Sequence, residues 1–194
     1  MKRIVDSKDL SSLAPSAFVQ KHGATIVSAA AGKPILDVAC GGGRNGIFLS
    51  HLGGNVICLD RDLSPFRAQK TLLKPTLFAK SYAGITALEL DLIRDEWPMP
   101  ADSVGGVVNV HFLHMGLFPA FSRSTARGGY LLLETIQNRG GNYMELPGSG
   151  LLKSALESSF ELEIYRERGC GRARNDAVTV QLLGRRRFDQ AGRG

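Results

Sequence analysis

Three aspartates sit in or at the ends of apolar runs in the first half of the chain. Asp37 lies in Ile35-Leu36-Asp37-Val38-Ala39, Asp60 closes Val56-Ile57-Cys58-Leu59, and Asp91 follows Ile85-Thr86-Ala87-Leu88-Glu89-Leu90. Between the first two runs stands a loop of small residues, Cys40-Gly41-Gly42-Gly43. A segment follows in which Ile47, Phe48, Leu49 and Leu52 fall largely on one face at helical spacing, and Gly53-Gly54 stop it. Glycines in such a loop permit positive φ and bring backbone close to a ligand. A helix N-terminus near Arg44 offers unpaired N–H groups to a carboxylate or phosphate. An acid that closes the second strand can accept both hydroxyls of a ribose. This order of strand, glycine loop, helix, strand and acid suits the binding of a nucleoside-containing cofactor.

A second group able to do chemistry is His111 and His114, which follow the apolar run 104–110. In doubly wound sheets ligands lie beyond the carboxyl ends of the strands, and these histidines emerge there. A helical turn would place them on neighbouring faces. With no third ligand nearby they make a poor metal site, so no metal is expected. Two readings stay open. His111 can bond a backbone carbonyl and His114 sit in a solvated loop, or either can act as a catalytic residue, positioning the substrate or serving as a base near its ordinary pKa.

Positioning these groups requires a particular set of elements. Residues 1–32 form an N-terminal helical segment, with Pro15 suited to a first turn beside Ser16 and with Phe18, Val19, Ile26 and Val27 on its apolar side. Such a segment either caps the mouth of the ligand site or simply covers a sheet edge. After Asp60, Asp62 or Ser64 can cap a helix carrying Phe66, Leu72 and Leu73, which Pro75 ends. Residues 76–84 read as a loop, 85–90 as a third strand and 96–102 as a turn-rich connection with Trp97 packed beneath it. Strand 104–110, a short helix over 118–125 and a strand after Gly128-Gly129 follow. Residues 138–142 form a glycine-containing loop, a candidate lid. A helix over 151–158 precedes the strictly alternating run 160–167 and a return strand over 177–183. A short glycine turn between those last two requires them to be antiparallel. Gly41-x-Gly43-x-x-Gly46 formally satisfies the dinucleotide fingerprint, but a dinucleotide dehydrogenase would continue with a sixth parallel strand.

The 194 residues have the length of one domain with a full core. The net charge of +6 is concentrated near the ends, in Lys2 and Arg3 and in Arg185-Arg186-Arg187 and Arg193. Such ends can contact nucleic acid, but they are more often solvated tails, and no RNA-binding module accompanies them. Cys40, Cys58 and Cys170 are odd in number and lack paired spacing, which suits free thiols in a reducing compartment. No apolar run reaches membrane-spanning length and no signal-peptide core is seen, so a cytoplasmic protein without membrane contact is expected.

Four ordered motifs carry a family resemblance: L-D-V-A-C-G-G-G-R-N-G, V-I-C-L-D-R-D, L-E-L-D-L with the later F-L-H segment, and G-G-Y-L-L-L-E-T. From about Lys33 to Arg187 the chain resembles the class I S-adenosylmethionine-dependent methyltransferases. Its F-L-H-M-G-L-F-P segment is similar to the branch of small-molecule and tellurite-resistance enzymes. The resemblance implies an α/β fold: a Rossmann-like three-layer sandwich on a seven-stranded, mostly parallel sheet ending in an antiparallel hairpin. It implies one domain over 33–188 after the cap segment 1–32, with a flexible tail at 189–194. It also assigns roles to residues. Asp37 and the loop with Ala39, Gly41 and Gly43 hold the amino-acid part of the cofactor, and Arg44 and Asn45 take its carboxylate. Asp60 takes the ribose and Arg61 flanks the adenine. Asp91 and Leu92 read the adenine edge, and Asn109 to His111 line the reactive methyl. Ala39 stands where the family most often has glycine, Gly105-Gly106 where it often has an acid-alanine pair, and Arg127 where proline is commoner. No Asn-Pro-Pro-aromatic motif or cysteine nucleophile follows the fourth strand, which favours O-, N- or S-methylation of a small molecule or an inorganic oxyanion. A monomer or weak homodimer is expected. Methylation of RNA, cofactor binding without catalysis and nicotinamide binding are the alternatives.

Overall fold

Strand β1 (Ile35–Val38) is buried at all four positions and lies third of seven in the sheet. It is flanked on both sides by parallel partners, β2 (Val56–Asp60) and β4 (Val104–Val110). A strand buried on both faces needs apolar residues at consecutive positions, and the polar exception, Asp37, therefore has a special task. The structure is a computed structural model that describes residues 14–73, 84–135, 147–169 and 178–188, without the side chains of 70–73. The expected lid at 138–142, the loop over 76–83, the turn after Gly169 and the tail 189–194 lie outside the described residues, as do the side chains of Leu72 and Leu73.

The sheet has seven strands in the order β3-β2-β1-β4-β5-β7-β6, with β3 at Ile85–Glu89, β5 at Thr125–Glu134, β6 at Phe160–Gly169 and β7 at Val178–Arg186. Pairings from β3 through β5 are parallel, while β5–β7 and β6–β7 are antiparallel. This is the Rossmann-like methyltransferase sheet expected from the sequence. Strand β5 begins earlier than its glycines suggest: Thr125 pairs with Val104, and the register shifts before Gly106 meets Tyr130.

Helices cover both faces. On one face α1 (Ala17–Ala29), α2 (Arg44–His51) and Phe66 of α3 (Ser64–Leu73) pack with Ile35, Val108 and Leu132. On the other, α4 (Phe118–Ser124) and α5 (Leu151–Leu156) pack with Leu36, Val107 and Leu131, and Trp97 joins them edge-on to Phe121. Helix α1 is thus a full part of one layer, with Val19 and Ile26 wholly buried. Its glycine at 23 lets α2 approach, since a Cβ there would lie 2.9 Å from Phe48 and 3.1 Å from Leu52.

Pro15 does not open α1. Ser16 is the N-cap, so the proline stands outside the helix. The Ser16 hydroxyl accepts from the Phe18 and Val19 N–H groups and donates to the Glu134 carboxylate at the end of β5. One side chain therefore starts the helix and ties it to the sheet. Ser16→Ala removes both functions and is expected to cost about 1–3 kcal/mol, read from urea denaturation midpoints. An unchanged midpoint would show that these bonds contribute nothing net.

The basic triplet is not a tail. Arg185 and Arg186 lie in β7, and the three guanidinium groups donate to the carbonyls of Gly128, Ser159 and Glu157. The register of β7 places the first two, and the bond to Glu157 holds Arg187 just past the strand. No helix among the described residues is long and apolar enough to cross a membrane.

Candidate cofactor site

Beyond the carboxyl ends of β1 and β4 lies a cavity of about 280 Å³ lined by Ala39, Cys40, Gly41, Gly42, Arg44, Asn45, Gln69, Val110 and His111. The loop after β1 forms its floor by a sequence of left-handed residues: Ala39 at φ 55°, Gly41 at 53° and Gly43 at 77°. That geometry explains the family's glycine at the position of Ala39, because a Cβ in this region costs about 1–2 kcal/mol. Here the methyl is tolerated. At Gly43 a Cβ would overlap the Phe66 ring, so any side chain there requires that ring to move.

Asp37 lies beneath this loop and not in the cavity. It is 1% exposed, and its Oδ2 accepts from the Gly46 N–H at 2.8 Å in the first turn of α2. Burial raises its pKa to about 7, opposed by the Gly46 bond and the nearby Arg44 and reinforced by Asp60. Asp37 thus fixes the helix start that the loop must meet. Asp60 fastens the loop from the other side, its Oδ2 accepting from Gly41 N–H at 2.7 Å and its Oδ1 from Asp62 N–H at 3.1 Å. Each oxygen keeps a lone pair for a further donor.

The remaining expected residues divide. Arg44 and Asn45 line the cavity, with Asn45 Oδ1 already accepting from Ser16 N–H at 2.9 Å. Asp91 lies at the end of β3, where it caps a turn by accepting from Ile93 and Arg94 N–H groups. Leu92 is buried with Leu36 and Leu59 in the core, and Arg61 is exposed. Asn109 is 2% exposed in β4, and its Oδ1 is buried without a partner among the described residues. None of these last four lines the 280 Å³ cavity.

The histidines are not on a helical turn. The chain turns sharply at His111, with φ 65°, and the short 3-10 helix Met115–Leu117 begins only after His114. His111 N–H donates to the Glu134 carbonyl at 2.8 Å, which continues the β4–β5 ladder and aims its ring at the cavity. Desolvation and the nearby Arg44 lower its pKa, opposed by the Glu134 charge. His114 is half-buried and does not line this cavity. No cluster of three or more metal-ligating side chains occurs among the described residues.

Gln69 and Glu134 are absent from the sequence reading of the site. Gln69 of α3 reaches over Gly42, three residues on from Phe66, so that one helical face meets the loop twice. Glu134 is a buried acid ending the apolar strand Tyr130-Leu131-Leu132-Leu133, and that contrast was the available signal.

Solved structures share this architecture. The chain is similar to TehB from Haemophilus influenzae with a TM-score of 0.67 at 20% identity, over 93% of this chain and 65% of that one, so it spans a little under two thirds of that relative. A TehB-like S-adenosylmethionine-dependent methyltransferase from Corynebacterium glutamicum matches with a TM-score of 0.59 at 19% identity, over 93% and 94% of the chains. A putative sarcosine dimethylglycine methyltransferase from Galdieria sulphuraria matches with a TM-score of 0.67 at 13% identity, over 92% and 86%. No protein-family model matches the sequence, and no curated protein matches it. The fold is that of the S-adenosylmethionine-dependent methyltransferases.

Proposed function

We propose that this protein is an S-adenosylmethionine-dependent methyltransferase that acts on a small-molecule acceptor. The observation that carries the reading is the loop Ala39–Gly43, bent by three left-handed residues and fastened by Asp60, which floors a cavity beyond β1 and β4. The residues present fit the cofactor. The Arg44 guanidinium at the start of α2 suits its carboxylate, Asp60 has free lone pairs for ribose hydroxyls, and the loop backbone is bare of side chains at Gly41, where a Cβ would meet nothing within 4 Å.

When bound, the cofactor supplies a methyl group already activated on a sulfonium, so little acid–base machinery is required of the protein. The chain's own residues bind, orient and exclude water. His111 at the cavity wall can position an acceptor or take its proton, whereas the half-buried His114 lies away from that wall. Asp91 and Leu92 keep a place in this reading as the far end of the cofactor groove, next to β2 through the Leu90 N–H bond to the Asp60 carbonyl. Action on RNA gains no support from Arg185 to Arg187, whose guanidinium groups bond backbone carbonyls.

Asp60→Ala tests the assignment. It should weaken S-adenosylmethionine binding by about 1.5–3 kcal/mol, the range for charged hydrogen bonds, in isothermal titration with folding checked by circular dichroism. Unchanged affinity in a folded variant would remove Asp60 from the site.

A further inference from the structure

A second cavity, of about 370 Å³, opens at the same end of the sheet and has no part in the site above. Its wall comes from β5, β6 and β7: Glu134, Arg166, Arg168, Thr179 and Gln181, with Thr135 just past β5. Arg166 and Arg168 are two apart on β6 and so project from one face. Both are exposed, and neither makes an ion pair among the described residues. Opposite in charge is Glu134, only 2% exposed. Its carboxylate accepts from the Ser16 hydroxyl and from Gln181 Nε2 at 2.7 Å, but no cation pairs with it among the described residues.

A buried carboxylate whose bonds among the described residues come from neutral donors can still take a cation. Its wall also carries two guanidinium groups, which bind carboxylates in paired geometry. The cavity therefore has a negative and a positive pole. The Glu134 carbonyl accepts from the N–H of His111, which lines the first cavity.

We propose that this cavity takes a small zwitterion of the amino-acid type, its carboxylate at Arg166 and Arg168 and its ammonium at Glu134. A plain oxyanion would satisfy the arginines and leave Glu134 uncompensated. A simple amine would do the reverse.

The test is ligand-observed NMR with glycine, acetate, methylamine and sulfate as probes, run with saturating S-adenosylhomocysteine so that the cofactor's own amino-acid subsite is filled. Glycine should bind at least about tenfold tighter than acetate or methylamine. Arg168→Gln, an exposed change that the fold tolerates, should reduce glycine and acetate binding together. Glu134→Gln, checked for folding by circular dichroism, should bring glycine down to the level of acetate. Equal binding of glycine, acetate and sulfate, or binding of none, overturns the proposal. A titration of S-adenosylhomocysteine on the same sample separates the two ideas. If it binds and glycine does not, only the zwitterion site fails; if it does not bind, the methyltransferase reading fails.

Discussion

Gly105→Ala is expected to cost about 3 kcal/mol or more, at the upper end for an overpacked core. A Cβ at Gly105 would lie 2.5 Å from the Ala30 Cβ and 2.8 Å from its carbonyl oxygen, at the C-terminal end of α1. The obstacle is backbone, so no rotamer change relieves it, and α1 must lift from the sheet. Next to it, a Cβ at Gly106 would meet Ile26 at 2.9 Å. Together the pair lets the helix lie directly against β4, which accounts for glycines where the resembling family often carries an acid and alanine. Against a total stability of about 5–15 kcal/mol, the loss should appear as a fall of roughly 10 °C in melting temperature. A melting temperature within a degree or two of the parent's would show that α1 is not seated as described.

The pH dependence of stability should change as strongly in Asp37→Asn. The Asp37 pKa is raised from 3.8 to about 7 by burial, so between about pH 4 and 7 the folded chain holds a proton that the unfolded chain has released. Stability from this group is therefore highest at low pH and falls as pH rises through that window, levelling off above about pH 7. The full effect is on the order of 2–4 kcal/mol. Asparagine keeps an oxygen for the Gly46 N–H but cannot ionise. Urea denaturation at a series of pH values should show the decline from pH 4 to 7 in the parent and its flattening in the variant. Parallel profiles would mean that Asp37 is ionised throughout.

The parallel half of the sheet was legible because buried strands and one helix stripe have local periodicities. Ile35–Val38, Val56–Asp60 and Val104–Val110 are continuous apolar runs broken by turn residues, and they became β1, β2 and β4. The final hairpin was legible from the alternation in Phe160–Gly169. Long-range pairings were not. Nothing local says that Ser16 reaches Glu134, 118 residues away, or that Asn45 spends its oxygen on Ser16. The helical spacing of His111 and His114 misled because the left-handed turn at His111 is imposed by its bond to Glu134 across the sheet. Asp37 was found by its position after the first apolar residues, but its direction, under the loop toward Gly46, depends on how α2 returns over β1. Leu92 likewise followed an acid in the motif, and its packing beside Leu36 and Leu59 is a tertiary contact that no local pattern shows.

The central claim is that the cavity above β1 and β4 holds S-adenosylmethionine. Isothermal titration of the purified protein with S-adenosylmethionine, S-adenosylhomocysteine and NAD addresses it most directly. Micromolar binding of the first two, with none of NAD, is the predicted result. Binding of NAD alone, or of none of the three, would contradict the account.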